Sequence, residues 1–202
     1  MTTPAPAPLT HRLATAEDLP ALAALMDVAI GELQKGFLSP EQIAASRAIM
    51  GLDRQLIADG AYLVVEQDGV IAGCGGWSRR NTLYGGDHTP GRDAALLDPA
   101  TEAARVRAMY TNPAFARRGV GRLILSLCEA AAGAEGFTRL QLAATLSGQP
   151  LYEAYGFEAI EAFEDDRGGV PVPLVRMGKA VAAPQSPLHH ASHGPPPPMG
   201  EE

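Results

Sequence analysis

The stretch "NPAFARRGVGRLILSLCEA", residues 112–130, decides how the rest of the chain is read. A proline leads through two arginines to Gly119-Val120-Gly121, and an apolar pattern follows at helical spacing. Leu123, Ile124, Leu127, Cys128 and Ala131 share one face of that helix. Glycines just before a helix leave bare backbone at its N-terminus, where four N–H groups lack helical acceptors and the dipole adds partial positive charge. Such a terminus can seat an anion, and ordinary helix-start loops are built the same way. Two nucleotide motifs are excluded by spacing. A G-x-G-x-x-G fingerprint needs glycine at 124, where Ile124 stands, and no Gly-Lys-Ser/Thr follows to make a P-loop. The flanking residues must choose between phosphate cradle and plain loop.

Upstream, "ARVRAMYT" (104–111) reads as a strand that Pro113 ends. Downstream, Gly133 and Gly136 close the helix and "TRLQL" (138–142) is the next strand. "PLYEAY" (150–155) is a short helix from Pro150 to a stop at Gly156. "FEAIEAF" (157–163) and "VPLVRMGKA" (172–180) are two antiparallel strands joined through "EDDRGG". In the first half, "RLATAEDLPALAALMDVAI" (12–30) gives a short strand and then a helix capped near Thr15 or Ala16. Ser39-Pro40 opens a second helix, and "DRQLIADG" (53–60) is a short third one. "AYLVVEQDGVIAGCGGW" (61–77) is two strands folded at Gln67-Asp68-Gly69, a hairpin signal. Residues 79–102 carry Gly, Pro and Asp without periodicity. So long a connection inside a compact domain is expected to border a site.

The chain of 202 residues, 46% of them apolar, suits one globular domain over 10–180. Residues 1–9 alternate Ala and Pro, and 181–202 are Pro-rich. Both read as disordered, because neither buries enough surface to offset its ordering entropy. His189, His190 and His193 lie in that tail, where a metal-binding tract is the alternative to no specific role. A net charge of −7 speaks against a nucleic-acid surface. It would attract a cationic substrate, and it also simply keeps a protein soluble. Two cysteines, Cys74 and Cys128, make neither a disulfide framework nor a metal cluster. No apolar run approaches the roughly 20 residues of a membrane span, and the N-terminus lacks the basic start and apolar core of a signal peptide. The expectation is a cytoplasmic protein without metal or membrane.

The strand "VRAMYTNP", then "RRGVGRLIL", then "LYEAYGF" together resemble the GCN5-related N-acetyltransferase (GNAT) superfamily. In that family a proline follows the fourth strand, and six residues later a G-x-G opens the helix that grips the pyrophosphate of acetyl-CoA. Pro113 and Gly119-Val120-Gly121 keep that spacing, and Leu151-Tyr152 with Gly156-Phe157 match the family's later segment. The resemblance covers most of 10–180. It implies an α/β fold of the α+β type, with a mixed, mostly antiparallel central sheet flanked by helices. Three positions depart from the pattern. Ala116 replaces a Gln or Arg, Arg117 replaces a glycine, and Thr145 stands where an asparagine often lies.

The resemblance implies acetyl-CoA as co-substrate and an amine, on a small molecule or a protein, as acceptor. It assigns the pyrophosphate to Arg117, Arg118, Gly119, Val120, Gly121 and Arg122, and the pantetheine arm to the main chain of Met109, Tyr110 and Thr111. An N–H near Met109 would polarise the thioester carbonyl. Tyr152 matches the general acid: a phenol with pKa about 10 stays protonated at pH 7 and can donate to a thiolate whose acid form titrates near 8.5. No base emerges, although Glu32, Asp87 and His88 lie in segments that could approach the site. Cys128, on an apolar helix face, reads as unreactive, and Cys74 as a small strand residue. Trp77, Arg79 and Arg80 lead into the long loop and are candidate acceptor contacts. Family members often pair, which raises a homodimer through strand edges near the C-terminus. The competing class is a non-catalytic acyl-CoA-binding module that regulates a partner.

Overall fold

Asp68 and Gly69 both take positive φ, 53° and 75°, the paired left-handed turn whose twist suits a two-residue hairpin. In the computed structural model, which describes residues 7–182, this turn joins Tyr62–Gln67 (β2) to Val70–Ser78 (β3). The remaining strands are Thr10–Leu13 (β1), Ala104–Thr111 (β4), Arg139–Thr145 (β5), Glu158–Asp165 (β6) and Val172–Ala180 (β7). They form one seven-stranded sheet of order β1-β2-β3-β4-β5-β7-β6. Every neighbouring pair is antiparallel except β4 and β5. The mixed, mostly antiparallel sheet expected from the sequence is therefore the one that forms.

Five α-helices accompany it: Leu19–Leu33 (α1), Pro40–Ser46 (α2), Arg54–Ala58 (α3), Val120–Ala134 (α4) and Gln149–Tyr155 (α5). α1 starts later than its expected cap, because Thr15 first closes a 3₁₀ turn over Ala16–Asp18, donating its N–H to Asp18 Oδ2 at 2.7 Å. α2 carries the cap its sequence announces. Ser39 Oγ accepts from the Gln42 N–H (3.2 Å), and Gln42 Oε1 accepts from the Ser39 N–H (3.0 Å).

Alternation along β2 sends Val65 into the core under α4 and Val64 into a second core with Leu22, Leu25 and Met26 of α1. The buried face of α4 is rotated from the one read in the sequence. Ile124 and Cys128 are buried as expected, but Leu125, Glu129 and Ala132 join them, while Leu123, Leu127 and Ala131 are only partly covered. Glu129 tolerates burial because Tyr155 donates to it (2.8 Å), Lys179 pairs with it, and the Ala182 N–H reaches it (2.9 Å). α4 also approaches β3 very closely. A Cβ on Gly73 would lie 2.5 Å from Val120 Cγ1, and one on Gly75 would lie 2.9 Å from Ile124 Cγ2.

The described part extends slightly past 10–180. Leu9 packs on the core, and the Val181 N–H bonds Thr138 O at 2.9 Å. Most of the head and tail read as disordered, including His189, His190 and His193, lies outside the described residues.

Two irregularities shape the middle of the sheet. β4 and β5 pair only at Ala104↔Leu140 and Arg105↔Gln141, so beyond this point the parallel strands part. In β4, Ala108 and Met109 together face the single residue Gly75 of β3. That bulge puts Ala108 at φ 51°, a conformation non-glycine residues rarely hold without a structural reason. Tyr62 pins it from the buried side by donating its hydroxyl to Ala108 O at 2.7 Å.

Candidate active site

The parting of β4 and β5 opens a cavity of about 660 Å³, within the range of small-ligand sites. Val106 to Thr111 of β4 line one wall, Ala143 and Thr145 of β5 another, and the start of α4 lies across its mouth. Gly119, the N-cap of α4, sits at φ 86°, and Arg117 two residues earlier at φ 65°. Left-handed residues so spaced gather backbone N–H groups into a concave seat. The Arg118 N–H turns back to Phe115 O (3.4 Å), and the first bond into the helix is Leu123 N–H to Gly119 O (2.9 Å). The N–H groups of Val120, Gly121 and Arg122 are therefore left without helical acceptors at the positive end of the dipole. Nothing lies within 4 Å of where a Gly119 Cβ would be, whereas a Gly121 Cβ would strike Leu151 Cδ2 at 2.5 Å. Gly119 keeps the seat open, and Gly121 lets α5 close on α4.

Of the residues singled out in the sequence, Met109, Tyr110, Thr111, Arg117, Gly119, Val120, Gly121, Arg122 and Tyr152 all line this cavity. The Arg118 side chain does not. Held between two left-handed residues, it stacks over Phe115 at 5.2 Å and reaches towards Gln67. Arg122 lies over the Tyr155 ring at 5.6 Å. Tyr152 is half-buried and edge-on to Phe157, with ring centroids 5.9 Å apart. Burial pushes its phenol above the ordinary value, with a smaller push from Cys128. Thr145 Oγ1 accepts from the Gly148 N–H at 3.2 Å, so in this chain the position steadies the turn into α5.

Several other candidates lie elsewhere. Glu32 pairs with Lys35 (2.7 Å) on the surface. Asp87 is held by Arg54 (3.0 Å) and Arg92 (3.1 Å), and His88 Nε2 meets Arg47 O (3.1 Å) beside a second, shallower pocket. Arg79 pairs with Glu135 and Arg80 with Asp59, each at 2.7 Å, while Trp77 is buried edge-on against Phe137. These side chains are spent on the fold. Of the long 79–102 connection, Leu83, Tyr84 and Gly85 do border the cavity. Both cysteines are buried, and burial pushes each thiol up to about 12. Among the described residues no group of three or more His, Cys, Asp or Glu side chains could hold a metal, and no helix is long and apolar enough to cross a membrane.

Arg107 is the residue the sequence did not bring forward. It reads as one of two arginines inside a strand, yet its side chain is 2% exposed, lines the cavity and pairs with the fully buried Asp53 at 2.7 Å. It also donates to Gly85 O at 2.6 Å. Asp53 in turn caps α3 through the Gln55 N–H (3.1 Å). An arginine two positions after Arg105 in the same strand, with a helix-capping aspartate elsewhere, was the signal available.

A sequence model of the acetyltransferase (GNAT) domain matches residues 58–159, the segment running from the end of α3 to the start of β6. No curated protein matches the chain. Among solved structures, a GCN5-related N-acetyltransferase from Rhodopseudomonas palustris superposes with a TM-score of 0.64 at 22% identity, over 89% of this chain and 98% of that one. PaiA N-acetyltransferase from Thermoplasma acidophilum, solved with coenzyme A, gives 0.59 at 15% identity over 86% and 99%. YncA from Salmonella typhimurium, solved with acetyl-CoA as its cofactor, gives 0.57 at 19% over 90% and 98%. Identities this low speak for the fold, and the domain match speaks for the family. A sheet that parts onto an open helix N-terminus, a matching domain over half of the chain and these shared folds lead to one conclusion: the chain belongs to the GNAT family of acetyltransferases.

Proposed function

We propose that this chain moves an acetyl group from acetyl-CoA to an amine by direct attack within a ternary complex. The observation that carries this is the gap between β4 and β5, which opens onto the unpaired N–H groups at the start of α4. The pyrophosphate lies on residues 117–122, with Arg117 and Arg122 adding charge. The pantetheine arm enters the gap and pairs with the main chain of Met109 to Thr111. The bulge at Ala108 and Met109 turns an N–H towards the thioester oxygen, which gains negative charge as the amine adds. Tyr152 then protonates the departing thiolate. Its raised pKa keeps the phenol protonated at neutral pH, and its place in the cavity wall brings it within reach of sulfur. A tyrosine so situated supports turnover over a purely regulatory coenzyme-binding role.

Titration calorimetry with acetyl-CoA tests the coenzyme site. Gly119→Asp sets a carboxylate in the open space of the anion seat, and Gly119→Asn adds nearly the same volume without charge. Saturable binding by the wild type that survives in Gly119→Asn and is lost in Gly119→Asp is expected. Absence of binding by a folded wild type would remove the proposal.

A further inference from the structure

The half of the cavity away from α4 and α5 has a distinct chemistry. Its walls are chiefly Leu33, Phe37, Ile49, Met50, Leu83 and Leu174, with one neutral polar group among them, the buried Gln34, whose Oε1 has no partner and can accept from an amine N–H. Among the described residues, no Asp, Glu, His or Lys lines any part of the cavity; its ionisable side chains are arginines and tyrosines. The acids that make the chain −7 overall lie elsewhere. Behind this half stands the Arg107 cluster, in which three arginines (54, 92 and 107) face two aspartates, Asp53 and Asp87. Tyr84, on the same wall, commits its hydroxyl to Asp165 at 2.8 Å.

From this lining, and resting on the acetyl transfer proposed above, we infer that the acceptor is an uncharged, weakly basic amine on an apolar body, such as an arylamine, and not an alkylammonium or polyamine. An ammonium ion here would be buried with no carboxylate in the lining and close to Arg107, which disfavours the charged form in an apolar site. It would also find no lining side chain able to remove its extra proton. With a pKa of about 10.4, only about one alkylamine in 10³ is neutral at pH 7. A weakly basic amine arrives neutral and needs no such base. Its nitrogen adds to the thioester carbon, the C–S bond breaks, Tyr152 gives its proton to the departing sulfur, and the proton the nitrogen loses passes to the Tyr152 phenolate and restores the phenol. Amine and thioester thus become amide and thiol with no net proton taken up or released. Apolar walls then supply binding through contact area.

The test compares aniline with cyclohexylamine, six-carbon ring amines of similar size, and adds spermidine as a polycation. All are assayed at pH 7 with acetyl-CoA, and acetylated product is measured by mass spectrometry. A kcat/KM for aniline at least about tenfold above both others is expected, given that about 10³-fold scarcity of neutral alkylamine. Phe37 is half exposed, so Phe37→Glu should fold while putting a carboxylate in the wall, and it should move the ratio towards cyclohexylamine. Equal or greater turnover of spermidine or cyclohexylamine overturns the inference. So does acetyl-CoA binding without aniline acetylation, or an unchanged ratio in folded Phe37→Glu. Failure to bind acetyl-CoA is a separate result, and it removes the transferase proposal itself.

Discussion

Tyr152 and Tyr62 would serve the proposed transfer in different ways, one from the cavity wall and one from behind β4. Tyr152 lines the cavity with its phenol kept protonated by burial. Tyr152→Phe removes only the donor, so kcat should fall by about 10²–10⁴-fold while the acetyl-CoA affinity measured by calorimetry changes little. Tyr62 never touches the cavity. Its hydroxyl holds Ala108 O at 2.7 Å, in a fully buried environment that raises its pKa well above the usual value. Tyr62→Phe leaves that carbonyl unpaired and should cost about 1–3 kcal/mol in denaturant unfolding. It should also lower kcat more than it raises KM for acetyl-CoA if, as proposed, the bulge aims the N–H for the oxyanion. Equal stability and unchanged kcat would mean that the bulge holds itself. The place of Tyr152 in the cavity wall was expected from the family resemblance. That of Tyr62 was not, since a tyrosine in an apolar strand gives no sign of which carbonyl it will meet.

At the scale of elements, the decisive contact is α4 against β3 and α5. Gly121 allows Leu151 to pack where a Cβ would lie 2.5 Å from Leu151 Cδ2. Gly121→Ala should therefore destabilise the protein by about 1–3 kcal/mol through overpacking. Adding Leu151→Ala should recover part of that loss, and a double-mutant cycle in urea measures the coupling. The α4 start, the hairpin turn and the capped α2 were readable because each is fixed by residues adjacent in sequence. The buried face of α4 was misjudged because Glu129 counts as polar until Tyr155, Lys179 and the Ala182 N–H surround it. Arg107 stayed hidden for the same reason: Asp53, which neutralises it, lies on another element fifty-odd positions away. Partners distant in sequence decide what a buried charge means.

For the molecule as a whole, ion pairs tie the periphery to the sheet and set its response to acid. The Arg12 guanidinium holds the Asp18 carboxyl well below its usual range, and the hydrogen bonds from Arg80 lower the pKa of Asp59. Asp165 is opposed by burial, yet Arg167 and Tyr84 leave it lowered as well. A depressed carboxylate stabilises the fold above its unfolded pKa, near 3.8 for aspartate, and that stability is lost as pH falls towards the folded value. Tm should hold from pH 7 to about pH 5 and drop steeply below pH 4. Asp18→Asn should melt lower at pH 7 and lose less between pH 5 and pH 3. Parallel curves for the two proteins would rule out this linkage.

The two-rung junction between β4 and β5 has a thermodynamic consequence. It divides the sheet into a β1–β4 wing and a β5–β7–β6 wing. A thioester arm paired along the gap, as proposed, would act as the missing rungs. Coenzyme should then govern cooperativity as well as catalysis. Without it, amide hydrogens of residues 109–111 and 143–145 should exchange faster than those of β2 and β3. With coenzyme at about 100 times its Kd, mass action adds about 2.7 kcal/mol, and the two wings should protect and melt as one body.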